Sequence, residues 1–250
     1  LPTLPAVGGP VVAVQSAGER RHAVVNVPPL GFAWIAASPP TPPPRKPPKP
    51  IVQESRLTTD LVDVVLSPKT GGIQGLYSTN VRGNRLSQQI AFRLPGERSK
   101  PGEVWRDPDL EPSYTTMICD EIRPTLVGPT VGELTSIGRL VDAEQRVLAR
   151  FTQVVRVAQS VPLVEVEIEL DVEELPRADT WGSYYAARFA FAEEETTFAR
   201  SVFLTHQETT LKRPEAPDYL ELVAERHRTL ILTDGRPFCV QTGTRMLDAL

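Results

Sequence analysis

Strict alternation of apolar and acidic residues over nine positions is the feature that most constrains the fold. From Val164 to Val172 the sequence reads VEVEIELDV, so each apolar side chain is followed by a carboxylate. Successive side chains of a strand point to opposite faces, and a helix has a different period. The pattern therefore predicts a strand with one face on a core and one acidic face in water.

Similar patterns recur between turn residues and predict an all-β chain. The segment 57–79 predicts a hairpin, because Gly71 and Gly72 supply the positive φ that a tight turn needs. Residues 216–226 are the one helix that we predict. A second hairpin is predicted at 229–241, with Asp234 and Gly235 as its turn. Further strands are predicted at 11–15, 22–27, 117–129, 133–142, 148–157, 183–192 and 201–206. Long antiparallel strands at this spacing favour one large sandwich.

A proline-rich run divides the sequence. Eight of the thirteen residues of 38–50 are proline, which favours a stiff polyproline II segment reaching on the order of 40 Å. It is either a stiff connection or a docking site for an SH3- or WW-type partner. We predict the end of a small β-sandwich unit at 1–38, a proline-rich insertion or linker at 39–50 and a large β-domain at 51–250.

Composition excludes several classes of protein. The chain has 250 residues, a formal net charge of −4 and no basic stripe, so we expect no nucleic-acid partner. The sequence contains neither an apolar run of membrane-helix length nor a secretory signal, so no membrane partner is expected. It begins with Leu1, which suggests a piece of a longer protein. The two cysteines, Cys119 and Cys239, could pair, but we expect buried free thiols, which favours a cytoplasmic location without excluding secretion.

Motifs for catalysis or metal binding are absent from the sequence. The three histidines, His22, His206 and His227, have no metal-ligand spacing, and no phosphate loop or nucleophile elbow occurs. His206 follows an apolar strand and is interpreted as structural. The carboxylates of 163–172 and 193–195 are expected to be solvated.

The densest polar and aromatic segment is a candidate carbohydrate site. Sugars bind where an aromatic ring stacks on the C–H face and polar side chains bind the hydroxyls. The alternative is a strand start that packs the core, with Tyr185 and Phe189 on the face opposite Tyr184 and Arg188. The candidate carbohydrate contacts are Asp179, Trp181, Tyr184 and Arg188.

Several motifs, in order, resemble glycoside hydrolase family 38, the α-mannosidases. VNVPPLGFAWI resembles the segment that closes the small β-domain after the catalytic part, and LTTDLVDVVLSPKTGGIQGL the start of the large C-terminal β-sandwich. The similar segments are 25–35, 57–76, 83–92, 127–134 and 180–191. The resemblance implies a large antiparallel supersandwich of the galactose mutarotase-like type, preceded by part of a small β-unit. It also implies that the proline run is an insertion between adjacent β-units.

The resemblance also implies what this chain lacks. The family's zinc, its ligands and its Asp nucleophile belong to the barrel that precedes this region, so we expect no catalytic residue, metal or cofactor in this chain. The chain is then expected to support that barrel and to line the carbohydrate cleft. A free-standing carbohydrate-binding module and a proline-rich interaction scaffold remain alternatives. Mutarotase-like chemistry would require His206 to meet a glutamate, with 193–195 as the candidates.

Overall fold

The computed structural model describes residues 11–17, 20–25, 27, 32, 51–95, 113–177, 181–203, 205–225 and 227–250. Every regular element within these ranges is a β-strand, which confirms the all-β prediction. In chain order the strands are β1 Val11–Ala17, β2 Arg20–Val25, β3 Val52–Gln53, β4 Arg56–Thr58, β5 Val62–Leu66, β6 Ile73–Ser78, β7 Val81–Arg93, β8 Thr116–Leu126, β9 Val131–Val141, β10 Val147–Ala158, β11 Val164–Val172, β12 Tyr184–Phe191, β13 Thr197–Val202, β14 Thr205–Thr209, β15 Tyr219–Val223, β16 Arg228–Leu232, β17 Cys239–Gly243 and β18 Met246–Ala249.

The strands form four sheets with antiparallel pairing throughout. The large sheet has eight strands in the order β17-β18-β12-β7-β6-β5-β4-β3. Two four-stranded sheets have the orders β11-β10-β9-β8 and β14-β13-β15-β16, and we call them the meander sheet and the small sheet. The remaining pair is β1-β2, as predicted for the N-terminal strands. The proline-rich segment 39–50 lies outside the described residues, and the domain boundaries stay a prediction.

One face of the large sheet, its inner face, is covered by both four-stranded sheets. Leu57, Val64 and Leu66 of the large sheet pack with Leu134 and Val155 of the meander sheet, and all five are fully buried. A second cluster joins the large sheet to the small sheet, with Leu86, Phe191, Cys239 and Leu247 against Phe198, Leu220, Leu222 and Ile231. Burial of these apolar side chains removes them from water and fixes the layers.

The hairpin of β5 and β6 forms as predicted. Gly71 has a φ of +79°, and Gly72 lies so close to β7 that a Cβ there would be 2.3 Å from the carbonyl oxygen of Gln88. Glycine is therefore required at both positions for different reasons, one conformational and one steric. The predicted strands of the meander sheet also form and pair in sequence order.

Three predictions in the C-terminal part are wrong. The stretch 201–206 is not one strand, because the chain turns at Phe203, which has a φ of +48° and a side chain that is 94% exposed. The predicted helix at 216–226 is strand β15, because pairing with β13 and β16 outweighs local helix propensity. The segment 229–241 turns at Asp234 and Gly235, but β16 pairs with β15 and β17 with β18, in two different sheets.

The alternating strand β11 is confirmed, but its apolar row is not fully buried. It lies at the end of the meander sheet, and every one of its nine residues is exposed or partly exposed. Its acidic residues face water, as predicted.

Candidate functional site

A cluster of charged and aromatic side chains lies on the outer face of the large sheet, opposite the core. Strand pairing places Arg188 opposite Asp248 and Tyr184 opposite Arg93, and residues opposed in this way share a face. Tyr114 joins them through a bridge to Arg93. We call these five residues the Asp248 cluster. Tyr184, Arg93 and Asp248 are at most 4% exposed although they lie on the outer face.

The Asp248 carboxylate is held by hydrogen-bond donors on both oxygens. Oδ2 accepts from the hydroxyls of Tyr114 at 2.8 Å and Tyr184 at 2.9 Å. Oδ1 accepts from Arg188 Nε at 2.9 Å and from the Thr242 hydroxyl at 3.5 Å. A buried carboxylate is tolerated only when it is paired and hydrogen-bonded in this manner. Because both oxygens are occupied, Asp248 serves to position its neighbours and not as a nucleophile.

Both tyrosine hydroxyls are fixed as donors. Burial first, and then the negative charge of Asp248, raise the pKa of Tyr184 far above its usual value. The same two causes raise the pKa of Tyr114. Neither hydroxyl ionises near neutral pH, so both keep donating to the carboxylate.

Arg188 is the member of the cluster that can meet a ligand. Its side chain is 20% exposed, its Nε is bound to Asp248, and its guanidinium lies 3.5 Å from the ring centroid of Tyr114. Among the described residues its two terminal nitrogens have no hydrogen-bond acceptor. A guanidinium held on one edge presents its remaining donors in a fixed fork, suited to carboxylates or neighbouring hydroxyls.

Trp181 lies beside the cluster in an aromatic patch. It packs on the buried group of Tyr184, Ala186 and Val240. Its ring makes an edge contact with Phe238 at 6.0 Å between centroids, and Arg213 lies 5.0 Å from the ring centroid. A sugar that stacks on the same side of the ring as Arg213 would have to displace that guanidinium.

The structure brings together three of the four predicted carbohydrate contacts. Trp181, Tyr184 and Arg188 lie close to one another, whereas Asp179 lies outside the described residues. The hydroxyl of Tyr184 already donates to Asp248, so Trp181 and Arg188 are the predicted contacts whose side chains remain accessible to a ligand. The sequence analysis did not identify Asp248. The sequence feature that could have indicated it is a single acidic residue within the apolar segment MLDAL.

His206 does not meet the glutamates of 193–195. Its Nε2 lies 3.7 Å from Glu221 Oε2, and its Nδ1 lies 3.3 Å from the hydroxyl of Tyr219. Glu193 instead lies 3.5 Å from Nδ1 of His227. The arrangement that mutarotase-like chemistry would require is therefore absent at His206, and the glutamate beside it is Glu221, a buried residue of β15.

Within the described ranges, no three His, Cys, Asp or Glu side chains converge in a way that could hold a metal ion. Cys119 and Cys239 are both free, the first partly exposed and the second buried. Burial raises the pKa of the Cys239 thiol to about 11. No helix in the described part of the chain is long and apolar enough to cross a membrane.

These features define a β-sandwich domain with a polar cluster on the outer face of its large sheet. The fold is shared with part of an α-mannosidase from Enterococcus faecalis V583, at a TM-score of 0.58 and 9% sequence identity. It is also shared with part of a glycosyl hydrolase family 38 protein from Enterococcus faecalis, at a TM-score of 0.56 and 9% identity. Comparison of the sequence with protein-family models and with curated proteins gives no match.

Each match covers most of this chain but only about a quarter of the other protein. The first likeness covers 80% of this chain and 26% of the α-mannosidase, and the second covers 91% of this chain and 28% of the other protein. The resemblance to family 38 is thus confirmed at the level of the fold, for a region about one quarter the length of those proteins.

Proposed function

We propose that this chain is a β-domain of a family 38-like glycoside hydrolase that braces a catalytic barrel supplied by the rest of its parent. The observation that carries the proposal is the fold shared with about a quarter of two longer chains, one an α-mannosidase. By the resemblance, zinc and the nucleophile belong to that barrel, and this chain supplies none of the catalytic groups.

The outer face of the large sheet is the part of the domain that lines the carbohydrate cleft in this proposal. Asp248 holds Arg188 in place, and the terminal nitrogens of Arg188 donate to sugar hydroxyls. Trp181 and Phe238 add apolar surface next to it, and Phe238 is 43% exposed. Asp179 completes the proposed set of contacts, whereas Tyr184 contributes through its hydrogen bond to Asp248 and not by touching the sugar.

The parent enzyme, containing barrel and β-domain together, provides the test. Arg188→Ala and Trp181→Ala should each raise KM for an α-mannoside about tenfold and change kcat little, because each removes binding away from the reacting atoms. Arg150→Ala is the matched control, since Arg150 is 58% exposed on the meander sheet. Unchanged KM in both site variants would contradict the assignment of the cleft.

A second candidate function is a free-standing carbohydrate-binding module that uses the same aromatic patch. The partly exposed pair of Trp181 and Phe238 is the observation that favours it. Calorimetric titration of the 250-residue chain with mannose and mannobiose, with and without zinc, separates the two. Metal-independent binding that Trp181→Ala abolishes would support the module, and no binding by the folded chain would support the bracing domain.

A further inference from the structure

Strand β11 is a long and regular sheet edge. All nine of its residues pair with β10 without a bulge. On its other side no strand of the described residues pairs with it. Sheet edges are usually protected by proline, lysine, a bulge or short length, because unpaired main-chain groups can pair with another strand. The sequence VEVEIELDV provides none of these protections.

The two faces of this edge differ in chemistry. On one face Val166 and Val172 are each 37% exposed, beside Ile168 and Leu170, which pack partly on the core. On the other face the end of the acidic row is paired, since Glu165 lies 3.0 Å from Arg156. Glu167 and Glu169 lie opposite Val154 and Thr152, are exposed, and have no ionic partner in the described part of the chain.

This charge pattern disfavours pairing of β11 with the same strand of a second copy of the chain. Directly opposed residues share a face, so antiparallel self-pairing that keeps the apolar rows together must oppose acid to acid. Pairing centred on Ile168, for example, places Glu167 against Glu169 of the second copy. Like charges at opposed positions destabilise a strand pair, so the edge is protected against its own copy by charge alone.

We propose that β11 is a docking edge for a strand of another protein in which lysine or arginine alternates with apolar residues. Main-chain hydrogen bonds would extend the meander sheet by one strand. The basic residues would lie opposite Glu167 and Glu169, and the apolar residues would cover Val166 and Ile168. This inference does not depend on the proposed carbohydrate role, because β11 belongs to the meander sheet and not to the outer face of the large sheet.

Three labelled peptides test the proposal by fluorescence anisotropy with the 250-residue chain at low salt. TKVKVKVT has the matching pattern, TKKKVVVT has the same composition without alternation, and TEVEVEVT has the opposite charge. We expect the first to bind about tenfold or more tightly than either of the others, since only it satisfies both faces of the edge.

Variants of exposed acids supply the matched comparison. Glu167→Gln with Glu169→Gln should weaken binding of TKVKVKVT about tenfold. Glu144→Gln with Glu208→Gln changes net charge equally, at exposed positions elsewhere, and should leave binding unchanged. Equal affinity for the two basic peptides would overturn the proposal in favour of general charge attraction. Absence of binding, or sedimentation of the chain as a dimer through β11, would overturn it as well.

Discussion

The Asp248 carboxylate is the shared hydrogen-bond acceptor of the cluster on the outer face. Its carboxylate accepts hydrogen bonds from Tyr114, Tyr184, Arg188 and Thr242, and it is completely buried. Asp248→Ala would leave a largely buried guanidinium, the buried hydroxyl of Tyr184 and the partly buried hydroxyl of Tyr114 without their acceptor. We expect a loss of about 3–5 kcal/mol in the free energy of unfolding, measured by urea denaturation.

Thr242→Val is the control for that variant. Thr242 makes a long, 3.5 Å hydrogen bond to the same carboxylate, so its removal should cost less than about 1 kcal/mol. An Asp248→Ala chain as stable as the wild type would contradict the account of Asp248 as the acceptor that holds the cluster.

Ionisation of the Tyr185 hydroxyl should lower the free energy of unfolding at alkaline pH. Its hydroxyl donates to the carbonyl oxygens of Leu148 at 3.1 Å and Glu174 at 2.8 Å, and burial raises its pKa to about 12. The unfolded chain ionises Tyr near pH 10, so between about pH 10 and 12 the folded state keeps a proton that the unfolded state has lost. The stabilisation is complete below about pH 10 and is lost as the pH rises towards 12.

Tyr185→Phe checks the sign of this effect. At pH 8 the variant should be less stable by about 1 kcal/mol or more, because two carbonyl oxygens lose their donor. Urea denaturation at several values between pH 8 and 11.5 should show this difference shrinking as the pH rises. A difference that stays constant with pH would count against the raised pKa of Tyr185.

At the residue scale, the sequence can indicate only local groupings. Trp181, Tyr184 and Arg188 lie within one short segment and the structure brings them together, while their role as carbohydrate contacts stays a prediction. Asp248 was missed because it lies 64 residues from Tyr184, and only strand pairing brings the two side chains together. No local pattern carries that information.

At the scale of elements, period-2 patterning identifies strands but not their partners. All four strands of the meander sheet were predicted, and in the structure they pair in chain order. The segment 229–241 was misread as a hairpin because its turn residues, Asp234 and Gly235, are those of a hairpin. The pattern could not specify that its two strands enter different sheets.

The charge protection of β11 predicts that one substitution should create a dimer. In Glu167→Lys, pairing centred on Ile168 places the introduced ammonium group opposite Glu169 of the second copy, twice in each symmetric dimer. Opposed residues of unlike charge stabilise a strand pair, so sedimentation velocity should show a concentration-dependent dimer.

The double variant is the decisive comparison for that dimer. Glu167→Lys with Glu169→Lys opposes lysine to lysine in the same register, so it should sediment as a monomer. If both variants dimerise equally, the charges of the acidic row do not control pairing at this edge.

At the scale of the whole molecule, a buried polar contact joins the meander sheet to the large sheet. Gln88 Nε2 donates to Gln153 Oε1 at 3.0 Å between the layers, and Gln153 Nε2 lies 3.3 Å from the Gly71 carbonyl oxygen. Both side chains are almost completely buried, and Gln88 Oε1 has no hydrogen-bond partner among the described residues. A pair of glutamines amid apolar neighbours was not predictable from the sequence, where each residue is compatible with the surface.

This contact should show strong energetic coupling between the two layers. Gln153→Leu leaves the Gln88 amide without its acceptor and should cost about 1–3 kcal/mol. Gln88→Leu with Gln153→Leu removes both partners, and the free energy of unfolding should return close to that of the wild type, because the unsatisfied Gln88 oxygen also disappears. The four chains of this double-mutant cycle are compared by urea denaturation. Additive losses would mean that the glutamines do not act as a pair, and that apolar burial alone sets the packing of the two sheets.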